Sequence, residues 1–459
     1  MKINYIKIIT IATAILFSLS GCGGGSSDEI SSDKLIPTGK LLPPEDNQVY
    51  FGAQTNFSGS EDDVTEAKVL DFEDLAKKPI AWAYFSNNWS NDSWSPEEQS
   101  IVHSADIRYP KENIQTIHKT GATPFIRLLP WSSPHKPLYS LEARKSKASN
   151  IITICTESPT YSHRESKFIA LSELQDYLNN GATEGLCFND FSMQNIIDGK
   201  WDDELRQWVW EYLKHKDEDG NPIPLLMTFG VEMNGYWFPW GGIHHGGDKN
   251  EYKPEDGLAD GPERYRDAFR HIIDIFKQEG ADHVTWFFAP DPIHPDQTWM
   301  PYLNEEWNAI KNYYPGDDYI DWIGFTLYGP GHSLNSWPIF SERLNALSTQ
   351  ITDINSSKPI ALLETGAMDP NADSLTTSQK SELIERMGDQ SKSEWFEDFF
   401  STILNSSPLN IKAFSYWNDQ WESGGFSIDM RINSSDESLL TFQQLISNPR
   451  FTSELRFNQ

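Results

Sequence analysis

Basic residues are scarce in this chain. Lys and Arg number 37 against 67 Asp and Glu over 459 residues, a formal net charge of −30. So acidic a surface repels phosphates and anionic headgroups, which makes duplex DNA, RNA and anionic membrane surfaces poor partners. Cysteine is nearly absent, with three in all, and no Cys-x-x-Cys or His-Glu-x-x-His spacing marks a metal centre. There is no Gly-x-Gly-x-x-Gly after a first strand, no phosphate-binding loop and no Gly-x-Ser-x-Gly. Dinucleotide binding and serine hydrolysis therefore have no support. Long apolar runs are missing too: nothing reaches the roughly 20 residues that a spanning helix needs.

Aromatic residues, by contrast, are plentiful. They make up 13% of the chain, with 17 Trp, and hydrophobic content is 38%. That composition excludes disorder as a description of the whole. Abundant Trp and Tyr also suit the apolar faces of neutral sugar rings.

The first residues read as a targeting segment. Lys2 and Lys7 precede an apolar stretch from Ile8 to Leu19, too short to cross a bilayer and shaped like a signal-peptide core. It closes on Leu19-Ser20-Gly21-Cys22, which resembles the lipobox of bacterial lipoproteins. That resemblance implies cleavage of residues 1–21, lipidation of Cys22, and export to the outer membrane or cell surface, since Gly23 rather than Asp follows. A plain cleaved signal is the alternative. Residues 22–47, with GGGSSDEISSD and a Pro-containing continuation, read as a flexible tether. In an exported protein the remaining thiols, Cys155 and Cys187, are either a disulfide or two buried free cysteines.

Residues 48–459 show one alternation and no second domain. Eight short apolar runs recur: 49–54, 79–85, 122–128, 224–232, 283–290, 319–328, 359–365 and 411–417. Helix-period stretches separate them, for example DDELRQWVWEYLKHK and PERYRDAFRHIIDIFKQEG, the latter with Pro262 at its start and Gly280 past its end. Eight strands alternating with helices predict an α/β fold, a (β/α)8 TIM barrel serving as a single catalytic domain. A doubly wound open sheet is the alternative, weakened by the missing glycine motif. The length exceeds the roughly 250 residues usual for a barrel, and the largest insertion runs over residues 131–200.

Barrel chemistry sits where the strands end. The fourth run ends in Glu232-Met233-Asn234, followed by Trp237 and Trp240; the sixth ends in Tyr328; the seventh carries Glu364; the eighth ends in Trp417. The third brings Arg127 and then Trp131. A carboxyl at the end of a buried strand, beside aromatics, is poorly solvated, so its pKa should rise and it can serve as a general acid. Taken alone, Glu232 also reads as a strand-end carboxylate satisfied by a backbone or arginine partner. Glu364 alone also reads as a partner of Arg127, and Trp417 as packing. Together, two glutamates across one barrel mouth can be the acid and the nucleophile of glycoside cleavage. His244-His245 with Asp248 are the residue types of a metal site, but adjacent histidines chelate one ion poorly. No metal and no cofactor is expected.

These residues carry a resemblance. VEMNGYWFPWGG, YRDAFRHIIDIFKQEGADHVTWFFAPD, DYIDWIGFTLYG, KPIALLETGAMD and FSYWNDQW are similar to glycoside hydrolase family 26, a group of retaining (β/α)8 enzymes best known for β-mannanases. The resemblance implies that Glu232 is the acid/base and Glu364 the nucleophile. It also implies that Tyr328 touches the nucleophile and that Trp417 and Trp237 line sugar subsites; from their places at the barrel mouth, Trp240 is expected as a further stacking surface and Asn234, Arg127 and Trp131 as substrate-site residues. Two positions depart from the family pattern: Val231 stands where His is common, and Asp291 where Asn is common. The expected activity is internal cleavage of a β-linked polysaccharide, β-1,4-mannan first, with β-1,3-xylan or mixed-linkage glucan as alternatives. A non-catalytic surface glycan-binding lipoprotein is the competing class. The expected partner is that polysaccharide, with membrane contact only through the N-terminal lipid and a monomeric chain.

Overall fold

Apolar runs this short and this continuous can be satisfied only as strands buried on both faces, and parallel strands need helical crossovers to connect them. The computed structural model obeys both demands. It describes residues 39–57, 61–95, 100–130, 145–146, 149–156, 165–170, 191–235, 237–293, 301–331, 337–405, 408–423 and 426–458. Eight parallel strands follow one another round the sheet: β1 Val49–Gln54, β2 Trp82–Asn88, β3 Thr123–Leu129, β4 Leu226–Phe229, β5 Thr285–Phe288, β6 Trp322–Thr326, β7 Ile360–Thr365 and β8 Ile411–Trp417. The last pairs back on the first, from Ala413 opposite Tyr50 to Trp417 opposite Gln54, so the sheet closes. The fold is a (β/α)8 barrel.

Large rings fill the lower interior. Tyr50, Trp82, Phe125, Phe287 and Trp322 form a closed circuit with neighbouring centroids 4.6–6.4 Å apart. All are essentially without exposure, and the mixture of tilted, edge-on and offset-stacked contacts suits the quadrupoles of the rings. Beneath this layer, Leu41–Leu42 pairs antiparallel with Arg456–Phe457. The carbonyl of Leu41 accepts from the Trp322 indole at 3.0 Å, and Lys40 reaches Asp321 at 2.8 Å. The tether expected to run to residue 47 therefore gives way to ordered structure by residue 39. A two-residue strand is too short to show any alternation, so nothing local marks it.

Helices pack outside. The helix Asp260–Gln278 buries Tyr265, Ala268, Phe269, Ile272, Ile273 and Phe276, the stripe expected of one apolar face. Pro262 is its third residue rather than its first. The first-turn amides have no intrahelical acceptor, so the missing N–H is harmless there too. Gly280 follows the end with φ +88°, as a left-handed stop requires.

Among the described residues, three further antiparallel ribbons decorate the barrel: Ser90–Ser95 with Ser100–Ala105, Ser149–Thr156 with Lys145–Ser146 and Glu165–Ala170, and Gln420–Ser423 with Phe426–Asp429. The first, SNDSWS against SIVHSA, has almost no apolar alternation and reads as a loop. Cys155 lies opposite Ser166 in the second ribbon. Its side chain, all of Cys187, Trp131, and residues 1–38 with Cys22 lie outside the described residues.

Candidate active site

Register brings the strand ends together. Pairing between β6 and β7 slips beside Thr326, setting it opposite Glu364, and pairing between β7 and β8 slips again before Thr365. Such irregularities re-aim side chains at a barrel rim. The Glu364 side chain then points into a cavity of about 370 Å³ at the C-terminal end of the strands, lined by Glu61, Arg127, Glu232, Phe238, Tyr328, Glu364, Trp417, Asp419, Trp421 and Met430.

Glu232 enters it by an unusual route. The chain leaves β4 through Gly230 at φ +51° and then Glu232 at φ +55°. A left-handed conformation costs a non-glycine residue roughly 1–2 kcal/mol. It persists here because the Glu232 amide donates to Ala289 O at 2.7 Å and its carbonyl accepts from Gly235 N at 2.9 Å. The indole of Trp237 donates to Glu232 Oε2 at 2.5 Å, and Glu232 lines the cavity. Burial raises the Glu232 pKa, and Thr326, Trp237 and Arg127 only partly offset it.

Glu364 is 4% exposed. The Tyr328 hydroxyl donates to its Oε2 at 3.0 Å. Arg127 Nε approaches Oε1 at 3.2 Å, yet neither atom has a well-aligned hydrogen bond, so this is a charge contact rather than a closed ion pair. Glu364 thus has Arg127 beside it, as one reading of the sequence expected, while its carboxyl also lines the cavity. Burial pushes its carboxyl up to about 7, with Arg127 opposing and Glu232 reinforcing the rise. The two carboxyls titrate as a pair.

Arg127 is itself held in place. Its guanidinium carbon lies 5.6 Å from the centroid of the Tyr84 ring and 5.0 Å from that of Trp417. Burial works against its charge, but Glu364 and Glu61 outweigh burial and keep it protonated.

Several expected site residues sit elsewhere. Trp240 is wholly buried, stacked on Phe238 at 4.5 Å, and its indole donates to Val231 O at 2.6 Å. It braces the loop and offers no face to a ligand. Asn234 is 1% exposed and spends its amide on Asp291, donating to the carbonyl at 2.6 Å and accepting from the amide at 3.0 Å. It clasps the loops after β4 and β5 together and is no substrate contact. Val231 is fully buried, so position 231 has no side chain in the cavity. His245 Nε2 donates to Pro239 O, 3.0 Å away, and burial drives its pKa down to about 3. Tyr328, Trp417, Arg127, Glu232 and Glu364 do converge, with Trp237 against Glu232.

The sequence did not single out Glu61, Asp419, Thr326 or Trp421. Asp291 stood out only by its departure from the family pattern. Its carboxyl, buried and facing Glu232, is held well above the usual carboxylate range, with the Thr326 hydroxyl 3.5 Å away.

Residues 203–371 match the model of glycosyl hydrolase family 26. Among curated proteins, the chain is 26% identical over 225 residues to endoglucanase H of Acetivibrio thermocellus, covering 48% of this chain and 20% of that protein. It is 23% identical over 295 residues to β-1,3-xylanase TXYA of a Vibrio species, covering 60% and 53%. It is 24% identical over 234 residues to mannan endo-1,4-β-mannosidase of Bacillus subtilis, covering 50% and 48%. The chain thus spans about half, or less, of the length of the curated relatives it matches.

Proposed function

We propose that this chain, whose residues 203–371 carry the glycosyl hydrolase family 26 match, is a retaining hydrolase that cuts internal β-linkages of a neutral polysaccharide. One observation carries the reading. Two glutamates from the ends of β4 and β7 share one cavity, one held by an indole N–H and the other by a tyrosine hydroxyl beside an arginine. Glu364, ionised by Arg127 and Tyr328, attacks the anomeric carbon. Glu232, kept protonated by burial, gives its proton to the departing oxygen. It then takes a proton from water as that water cleaves the glycosyl ester on Glu364. Trp417 and Trp421 offer ring faces to the sugar.

Four carboxylates to one guanidinium line the cavity, which argues for an uncharged glycan. β-1,4-Mannan is the first substrate, with β-1,3-xylan and mixed-linkage glucan next; relatives named for mannan and β-1,3-xylan support two of these. The sequence LSGC supports export on a lipid at Cys22, which suits work on a polymer outside the cell. Reducing-end release from these three polysaccharides tests the reading. Release from any one supports it; binding without release from all three favours a glycan-capture lipoprotein.

A further inference from the structure

Arg127 raises a problem that the hydrolase reading does not solve. A buried guanidinium beside a carboxylate normally closes into a bidentate pair, two parallel N–H···O bonds. Such a pair would hold both oxygens of Glu364 and blunt it as a nucleophile. The contact here is a single 3.2 Å approach of Nε to Oε1, and Oε2 stays with Tyr328. Nη1 of the guanidinium turns to other partners. Arg127 Nη1 donates to Glu61 Oε2 at 2.7 Å and to Ser86 Oγ at 3.3 Å.

Glu61 is built to receive it. The Ser86 hydroxyl donates to the same Glu61 Oε2 at 2.6 Å, and the Ser86 amide donates to the Glu61 carbonyl at 2.9 Å. Glu61 holds this pose at φ +60°, a conformation that non-glycine residues seldom adopt. Its side chain is one-third exposed and lines the cavity. We propose that Glu61 is a positioning residue that draws Arg127 into a divided ion pair and so keeps the guanidinium from closing on Glu364. The consequence for catalysis rests on the hydrolase reading; the pairing itself does not.

The groups facing Glu364 fix the sign. Arg127 from β3 and Tyr328 beyond β6 favour its charged form, while Glu232 and Glu61 disfavour it. Tyr84 from β2 and Asp291 beyond β5 also feel its charge. Asp419, beyond β8, lines the same cavity. Removing the Glu61 charge takes away one repulsion and hands all of Arg127 to Glu364. Its titration midpoint must fall.

The test is made on the full chain, wild type against Glu61→Gln and Glu61→Gly. Glycine accepts the left-handed backbone without strain, so that variant guards against misfolding. Carbon-13 NMR of labelled glutamate follows Glu364, its resonance assigned with Glu364→Gln. Both variants should titrate about one pH unit lower, an order-of-magnitude change in the protonated-to-ionised ratio at a given acid pH. The acid limb of kcat/KM should move down with it, and plateau kcat should fall several-fold because the carboxylate is less basic. An unmoved or raised midpoint overturns the proposal. So does a rise in KM alone, which would make Glu61 a substrate contact. A lowered midpoint in a protein that releases no sugar supports the pairing and refutes the hydrolase.

Discussion

Replacing Tyr328 with Phe removes one atom whose effect can be worked out in advance. The hydroxyl donates to Glu364 Oε2 at 3.0 Å, and Glu364 is 4% exposed, so water cannot readily take its place. A hydrogen bond to a buried charged group contributes about 1.5–3 kcal/mol. At 1.36 kcal/mol per pKa unit, its loss raises the Glu364 pKa by roughly one to two units. The bond favours the charged form, so losing it moves nucleophile ionisation, and with it the acid limb of kcat/KM, to higher pH. On that limb Tyr328→Phe should lose roughly ten- to a hundredfold in kcat/KM, converging toward wild type as the pH rises. The assay is a pH–rate profile on whichever polysaccharide releases reducing ends. An acid limb that stays put, or moves down, refutes the claim that Glu364 works as an ionised nucleophile held by Tyr328.

Two other perturbations follow from the same geometry. Trp237→Phe removes the indole that donates to Glu232 Oε2 at 2.5 Å, so the Glu232 pKa should rise and the alkaline limb of kcat/KM should shift upward; a downward shift contradicts the assignment. Lys392→Met removes a wholly buried ammonium that donates to Arg431 O at 2.7 Å and to Ser434 Oγ at 3.1 Å and that feels the charges of the buried Asp369 and Asp429. Losing these bonds from a charged donor should destabilise the fold by roughly 1.5–3 kcal/mol, read as a lower denaturant midpoint at unchanged slope. A loss below about 1 kcal/mol would mean that the serine hydroxyls on Asp369 and the Arg431 pair on Asp429 suffice alone.

The barrel was legible because its strands are buried on both faces. Runs such as IKAFSYW need no alternation to declare themselves, and the expected span 411–417 is the observed one. The fourth run was drawn too long, to residue 232, whereas the strand stops at Phe229. Gly230 and Glu232 then turn left-handed, and apolar character alone does not report a turn. The two catalytic candidates were visible as acids at strand ends. Glu61 was not, because it follows β1 in an acidic stretch and only folding sets it against Arg127, 66 positions away. Trp240 and Asn234 show the reverse error. Both lie beside Glu232 in sequence, yet one packs into the core and the other knots two loops. Proximity in sequence to a reactive residue does not decide which way a side chain faces.

In the proposed reaction Glu364 forms a covalent ester and Glu232 serves both halves. Proton NMR of the first product released from the polysaccharide that the enzyme cleaves tests this most directly, before mutarotation mixes the anomers. The β-anomer should appear first, its configuration retained through two displacements. If the α-anomer appears first, water attacked the sugar directly, and the roles given to Glu232 and Glu364 are wrong.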